Sequence, residues 1–477
     1  MRLPLGMTCR SFLLLAPAFV ATGCSSATKS YEDVDGTVGQ RTGLSVRLPN
    51  KQLSESDVRR EVASLMARPL TASTAAQIAL LNSRRVRATL EELNLSQADL
   101  LEASLPSNPT LTSSVRWPRG GGGANSEFGV AADVLNVLLL PLRKRLAIHE
   151  YEAAKRRVSH ELLEAVFDVK EAFHELQAAQ ELLKRLQTAA EINQVSGDIA
   201  GRLREAGNIT ALELLQEQTN SQQSAVDISR ATGETAAARE RVNRLLGLTT
   251  AEGRAWRFSE GLPPMPKAEP SLAALEAAAM ANRQDLAAEA ETLAALEKGH
   301  SLTRKMRYFP ALNLGINTER EVDGERLTGP TLDVEVPLFN QGQGRMMKSS
   351  AQLAKARASH EALGLEVRSD VRASLQRVQL ARKLYQQLSG TLLPQRQRIL
   401  AETLLQYNAM QSSNFELLQA KSAEIEAQRA AIEALRDYWV ARAELEKATG
   451  GSLTPARTVL GGKSATSATR SGGDHVH

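Results

Sequence analysis

The feature that most restricts what this chain can fold into is that its central part reads as one unit written twice. In the first copy Asn82 leads a helical run to Leu105, an extended segment from Pro109 to Trp117, a Gly-rich turn at Gly120 to Gly123 and a second extended segment ending at Pro141-Leu142. About sixty helical residues then lead to Ala206-Gly207-Asn208. The second copy keeps the order: Asn282, an extended segment from Pro310-Ala311-Leu312, its partner ending at Pro337-Leu338, and a long helix to Ala409-Met410-Gln411. Related phrases follow the two turns, Leu212-Glu213-Leu214-Leu215-Gln216 and Phe415-Glu416-Leu417-Leu418-Gln419. The copies are offset by 203 from Glu213 and Glu416 to Gly247 and Gly450, but by 196 between Pro141 and Pro337. The second copy is therefore expected to carry seven extra residues, one heptad, lengthening its coiled-coil helix without rotating the apolar seam. A repeat of about 200 residues is a duplicated domain, too long for a solenoid unit.

The ends are of a different kind. Arg2 and Arg10 precede the apolar run Ser11 to Val20, which is too short to span a bilayer, and 1–23 reads as a signal peptide. Ala21-Thr22-Gly23-Cys24 resembles a bacterial lipobox, although Ala21 stands where that pattern prefers Leu. Cys24 would then be the lipidation site, carrying acyl chains such as palmitate, with ordinary secretory cleavage as the alternative. Ser25 resembles the residue of lipoproteins passed on to the outer membrane. Cys9 leaves with the signal, so a lipidated Cys24 leaves no thiol for a disulfide or a metal. Residues 24–70 are rich in Ser, Thr, Gly and Asp without a sustained period and read as an extended tether; 451–477 reads as a disordered tail. Between them stand the first repeat, 71–260, a Pro-rich linker, 261–270, and the second repeat, 271–450.

The net charge of +4 falls to +2 when Arg2 and Arg10 leave, and aromatics make up 4% of the chain, so the basic, aromatic stripe of a nucleic-acid binder is missing. The long helices have a coiled-coil period. Leu162, Val166, Val169, Phe173, Leu176, Leu183 and Leu186 form one seam; Val371, Leu375, Val378, Tyr385, Leu388 and Leu392 form the other, interrupted by Arg382. Leu142 to Ala206 would extend about 95 Å, which implies a coiled-coil or tube-like body. The extended segments alternate: Leu312, Leu314 and Ile316 on one face, Leu332, Val334 and Val336 likewise, and more loosely Leu111, Val115 and Trp117 with Phe128, Val130 and Val134. Such strands suit either a half-buried soluble sheet or a barrel wall facing lipid and water. Four strands do not close a barrel, so several chains would have to combine.

Two copies of helix, strand, strand, long helix, turn and helix behind a lipobox resemble the outer-membrane efflux protein family, the TolC-like channels, over residues 70 to 450. Leu140-Pro141-Leu142-Arg143 and Val336-Pro337-Leu338-Phe339-Asn340-Gln341-Gly342 are similar to the family's strand-to-helix junction. Leu139-Leu140-Pro141-Leu142 and Ala206-Gly207-Asn208-Ile209 resemble its lipidated, heavy-metal subgroup. The resemblance implies a mainly α fold with a small β portion: duplicated helical hairpins forming a periplasmic tube, and four strands per chain in a trimeric twelve-stranded outer-membrane barrel. It implies a homotrimer, a periplasmic adaptor and a proton-driven inner-membrane pump as partners. The chain would be the lipid-anchored exit duct of tripartite efflux, with metal cations or small toxic compounds as cargo; type I secretion is another role for such ducts.

By the same resemblance the adaptor-contacting tips fall at Ala206, Gly207 and Asn208 and at Ala409, Met410 and Gln411; Met410 departs from the family's Gly. The latch tyrosine matches Tyr407 and its carboxylate partner Glu213; the constricting acidic positions match Glu416 and Gln419, and a latch arginine would fall at Ser412. From the residues alone, three copies of Glu416 around an axis would favour cations. The competing reading makes Glu213 and Glu416 ordinary first-turn acids of their helices.

No histidine pairs with another ligand type at helical spacing in a repeated way, His475-Val476-His477 sits in the tail, and Gly120 to Gly123 lacks a phosphate-loop Lys. Neither a nucleophile motif nor a cofactor or metal site is expected, and the chain reads as a non-enzyme. The alternative class is a lipid-anchored periplasmic coiled-coil adaptor or scaffold without a pore. It accounts for the helices and the lipobox but not for four strands and a complete duplication.

Overall fold

A computed structural model describes residues 23–46, 54–117, 119, 123–258, 261–307, 311–321 and 323–453. The signal peptide before Gly23, most of the Gly120 to Gly123 turn, and the tail beyond 453 with its two histidines lie outside the described residues.

Helices α1 (Gly23–Thr42) and α2 (Glu55–Met66) lead into the first repeat: α3 (Ala72–Asn82), α4 (Arg84–Ser104), β1 (Thr110–Arg116), β2 (Asn125–Asp133), α5 (Val134–Glu205), α6 (Ala211–Leu246) and the short α7 (Thr250–Ala255). The second repeat follows as α8 (Leu272–Asn282), α9 (Gln284–Lys305), β3 (Leu312–Arg320), β4 (Arg326–Val334), α10 (Gln343–Gln387), a π-turn (Leu388–Leu392), α11 (Leu393–Asn408) and α12 (Asn414–Thr449). The end of each repeat closes in the same way. Gly247 and Gly450 are left-handed C-caps at φ +70° and +69°, where an added Cβ would lie 3.0 Å from Asn82 O and 3.1 Å from Asn282 O. Only glycine meets both the dihedral and the close approach.

These fixed points correct the expected heptad. Asn82 to Gly247 spans 165 residues and Asn282 to Gly450 spans 168, a difference of three. Pro141 is not the counterpart of Pro337: it lies inside α5, whereas Pro337 lies in the connection between β4 and α10. The second extended segment ends at Asp133, whose side chain accepts from Asn136 N at 2.9 Å and starts the helix, so Val134 is helical. The apolar run Val134 to Leu140 fits strand or helix by periodicity, and the cap decides. At 72 residues α5 is about 108 Å long and exceeds the run from Gln343 to Asn408, the reverse of the expected lengthening.

Along the seam, the buried pairs Val169 and Val371, Phe173 and Leu375, and Leu176 and Val378 are 202 apart, while the tips Ala206 and Ala409 are 203 apart. The extra residue falls where the π-turn sits, since one residue added to an α-helix is taken up as a π-turn.

The expected extended tether is also corrected. Tyr31, Val34 and Val38 share one face of α1, Val34 and Val38 are buried in the first repeat's core, and Tyr31 Oη donates to Asn94 at 2.8 Å. Ser54 starts α2 through a capping box with Asp57. Packing against α5 overrides the weak helix propensity of this Gly- and Ser-rich stretch.

The four strands form one antiparallel sheet in the order β1-β2-β3-β4, leaving β1 and β4 as edges. Its register lines up the row Leu111, Val130, Ile316, Pro330 and the row Ala132, Leu314, Leu332 on one face. Leu111 is 75% exposed and Leu332 63%, so this apolar face has no cover among the described residues. The opposite face is polar: Asn125 donates to Glu319 at 2.8 Å, Asn317 to Glu127 at 2.6 Å, and Arg116 pairs with Glu127 at 3.5 Å.

Candidate functional site: the hairpin tips and the repeat junction

Both hairpins turn by the same geometry. At the first tip Ala206 ends α5, Gly207 takes φ +76°, and Asn208 N donates to Leu203 O at 2.8 Å. At the second tip Ala409 ends α11, Met410 takes φ +60°, and Gln411 N donates to Gln406 O at 2.8 Å. These are Schellman closures, which favour glycine in the left-handed position. Met410 is the one non-glycine residue with positive φ among the described residues, a strain of about 1 kcal/mol, and its side chain is 95% exposed.

After each turn the next helix opens on a capping box. Thr210 N donates to Glu213 Oε2 at 2.6 Å and Glu213 N to Thr210 Oγ1 at 3.2 Å; Ser413 N donates to Glu416 Oε2 at 3.0 Å and Glu416 N to Ser413 Oγ at 3.2 Å. Ser412 Oγ adds a bond to Glu416 at 2.6 Å. The backbone N–H of Thr210 holds Glu213 below the usual carboxylate range; the hydroxyl of Ser412, then the N–H of Ser413, does the same for Glu416. Both stay charged well into mild acid. Tyr407, half-exposed, is three residues before Met410, and Gln419 is exposed one turn beyond Glu416. Glu213 belongs to the first tip, and Tyr407, Glu416 and Gln419 to the second; among the described residues no hydrogen bond joins Tyr407 to Glu213. Each carboxylate is the third residue of its helix, the position its competing reading gave it.

Sequence reasoning missed a polar junction between the repeats. Glu269 of the linker accepts from Arg382 at 2.6 Å and from Arg442 and Tyr438, all shielded from solvent. Burial, then the bond to Glu269, pushes the Tyr438 hydroxyl up to about 12. Beside it His174 lies 5.2 Å from Trp439 and bonds Gln177 at 3.1 Å; burial lowers its imidazole to about 4, so it is neutral at ordinary pH. Lys170 of α5 pairs with Glu446 of α12 at 2.7 Å. Arg382 was the signal: a cation interrupting an apolar seam needs a carboxylate, and Glu269 is in the linker nearby.

Among the described residues no cluster of three His, Cys, Asp or Glu could hold a metal, and no helix is long and apolar enough to cross a membrane. No family model matches the chain. The cobalt-zinc-cadmium resistance protein CzcC of Cupriavidus metallidurans is 21% identical over 393 residues, covering 80% of this chain and 91% of its own. The CmeC outer membrane channel of Campylobacter jejuni superposes with a TM-score of 0.70 at 15% identity, over 80% of this chain and 85% of CmeC. The chain has the TolC-like fold of the outer-membrane efflux channels. The open-state MtrE outer membrane channel of Neisseria gonorrhoeae shares this fold with a TM-score of 0.66 at 17% identity, over 82% of this chain and 91% of MtrE. In the TolC-like arrangement the long helices belong to a tube and the sheet to a barrel.

Proposed function

We propose that the chain is the outer-membrane channel of a tripartite efflux system: a homotrimer and passive exit duct for substrates delivered by a proton-driven inner-membrane pump through a periplasmic adaptor. One observation carries this reading, the open four-stranded sheet with continuous apolar rows on one face and charged pairs on the other. Lipid satisfies the first face and water the second, and three chains supply the twelve strands that close the edges. A tethered adaptor has no use for such a sheet, which argues against the pore-free alternative. Cross-linking in native membranes should give a three-chain species that resists urea extraction; a water-soluble monomer or dimer after signal removal would overturn the reading.

Heavy-metal cations are the cargo we favour, supported by the likeness to CzcC. Deleting the chain's gene should raise sensitivity to cobalt, zinc or cadmium in the native host; unchanged sensitivity to all three removes this cargo while leaving the channel. Ala206, Gly207 and Asn208 and Ala409, Met410 and Gln411 meet the adaptor in this reading, supported by their exposure and by the strained Met410. Glu416, with Gln419 one turn on, lines the entrance, and Tyr407 with Glu213 holds it closed. Single-channel recording should show more frequent opening in Tyr407→Phe and weaker cation preference in Glu416→Gln. Unchanged selectivity in Glu416→Gln would leave Glu416 as a cap alone. A lipid on Cys24 completes the reading, and fatty-acid labelling should vanish in Cys24→Ala.

A further inference from the structure

The base of the sheet, where strands pass into helices, carries a pattern that neither the barrel nor the tube requires. Following β2 into α5, Val137 and Leu138 are 49% and 66% exposed, and one to two turns further the exposed Lys144 and Arg145 share their helix face. Following β4 into α10, Val336 continues the apolar alternation of Leu332 and Val334; Leu338 and Phe339 are 71% and 93% exposed, and the exposed Arg345 and Lys348 come next. Following α9 toward β3, Arg304 and Lys305 stand exposed in the last helical turn, and Arg307 Nε holds Gln341 O at 3.0 Å, fixing the Phe339 segment.

Across these three junctions, 134–148, 299–307 and 335–348, eight Arg and Lys face a single carboxylate, Glu335; the fourth junction, below β1, adds Asp99 and Glu102. The excess of five in one protomer is larger than the net charge of +4 carried by the whole chain. Lys144, Arg145, Arg304, Lys305, Arg345 and Lys348 have no ion-pair partner among the described residues. Some surface cations elsewhere on the long helices are paired, as Arg357 is with Glu297 and Arg377 with Glu444, while others, such as Arg368 and Arg396, have no ion-pair partner among the described residues; the belt differs in gathering such cations almost without carboxylates.

We infer that this belt is a docking surface for the anionic headgroups of phospholipids in the inner leaflet of the outer membrane. The inference rests on the channel reading, which sets the apolar sheet in lipid. Exposed apolar side chains continue the sheet's lipid-facing rows to the leaflet edge, and unpaired cations follow one to two turns on, at the depth where phosphates lie. Long basic side chains reach such phosphates while their stems stay on apolar ground. Charge complementarity and continuity with the apolar face select an anionic phospholipid over a zwitterionic one.

The test reconstitutes the full chain into phosphatidylcholine vesicles holding spin-labelled phosphatidylglycerol or spin-labelled phosphatidylcholine, and reads the relative association constant from the motionally restricted fraction. A preference for phosphatidylglycerol of about fivefold is expected at low salt, reduced by high salt. It should fall close to one in Lys144→Gln/Arg145→Gln/Lys348→Gln and persist in Lys144→Arg/Arg145→Lys/Lys348→Arg. Should the triple neutral variant fail to assemble, Lys348→Gln alone should still lower the constant. A chain that inserts without preference, or whose preference survives neutralisation, overturns the docking surface and leaves the channel reading intact. A chain that does not float with the vesicles overturns both.

Discussion

In the first hairpin α5 runs unbroken for 72 residues and goes on burying side chains toward its tip, with Leu183, Ala189 and Ala200 covered and Glu217 of α6 buried against it. Polar pairs stitch that distal half: Asn193 donates to Ser224 at 2.7 Å and Ser196 to Glu217 at 3.1 Å. In the second hairpin the corresponding helix breaks into a π-turn, neither the π-turn nor α11 buries a residue, and among the described residues no side-chain hydrogen bond joins α11 to α12. Both descend from one repeated unit. The second is clamped at its base, where Glu269 gathers Arg382, Tyr438 and Arg442, and beyond it is held by the small buried side chains of α12, Ala420 and Ala427, beside the buried Glu424. A duplicated scaffold can thus assign anchoring to one copy and compliance to the other by one added residue and a few polar pairs.

The strongest way to break this contrast is Glu269→Ala. It leaves two guanidinium groups and a phenol shielded without their carboxylate, costing about 3 to 5 kcal/mol. Hydrogen exchange should rise across α10 and α12 and stay unchanged in the distal first hairpin; uniform loosening of both would refute the idea of a local clamp. Next is acid acting on the repeat junction. The folded His174 titrates near 4 against 6.5 unfolded, so its contribution is complete above 6.5 and is lost as pH falls from 6.5 to 4, reaching about 3 kcal/mol. Thermal unfolding of the wild type should show this slope, and His174→Gln should flatten it.

Smaller effects sharpen the comparison at the tips. Gly207→Met should destabilise the first tip by about 1 kcal/mol, while Met410→Gly should relieve a similar strain at the second, both read from amide exchange at the turns. Smallest is Gly390→Ala in the π-turn, where an added Cβ has nothing within 4 Å. Its helix propensity should slow exchange over Leu388–Leu392 by about 0.5 to 1 kcal/mol. Faster exchange would mean that the π-turn depends on glycine.

The parts legible from sequence were those with a long period. The seam from Leu162 to Leu183 is buried as its spacing demands, and the alternation at Leu312, Leu314 and Ile316 is the apolar face of β3. The turns were legible because both copies end a long helical run at Ala206-Gly207-Asn208 and Ala409-Met410-Gln411 before a related phrase; the C-cap and the Thr210–Glu213 capping box that shape the first turn emerged with the structure. Short or long-range signals were lost. Tyr31, Val34 and Val38 give α1 too brief a stripe to stand out against Gly, Ser and Asp, and its stability comes from a surface over a hundred residues away in the chain. Pro141 misled because a proline beside an apolar run looks like a boundary, whereas it lies exposed within α5. Tyr407, Glu213, Glu416 and Gln419 were marked by resemblance, because no local period links residues that belong to two different tips.

The bare edges of β1 and β4 have a further consequence during biogenesis. A lone protomer offers two rows of unsatisfied backbone groups beside an uncovered apolar sheet, a template for pairing with any extended chain it meets. Its lifetime as a monomer is therefore set by competition between ring closure and indiscriminate pairing. In the proposed trimer, closure needs three copies and scales steeply with protomer concentration, so dilution or slow delivery to the membrane favours the unwanted route. A sheet completed only by assembly makes the supply of chains, as much as their sequence, a determinant of folding yield.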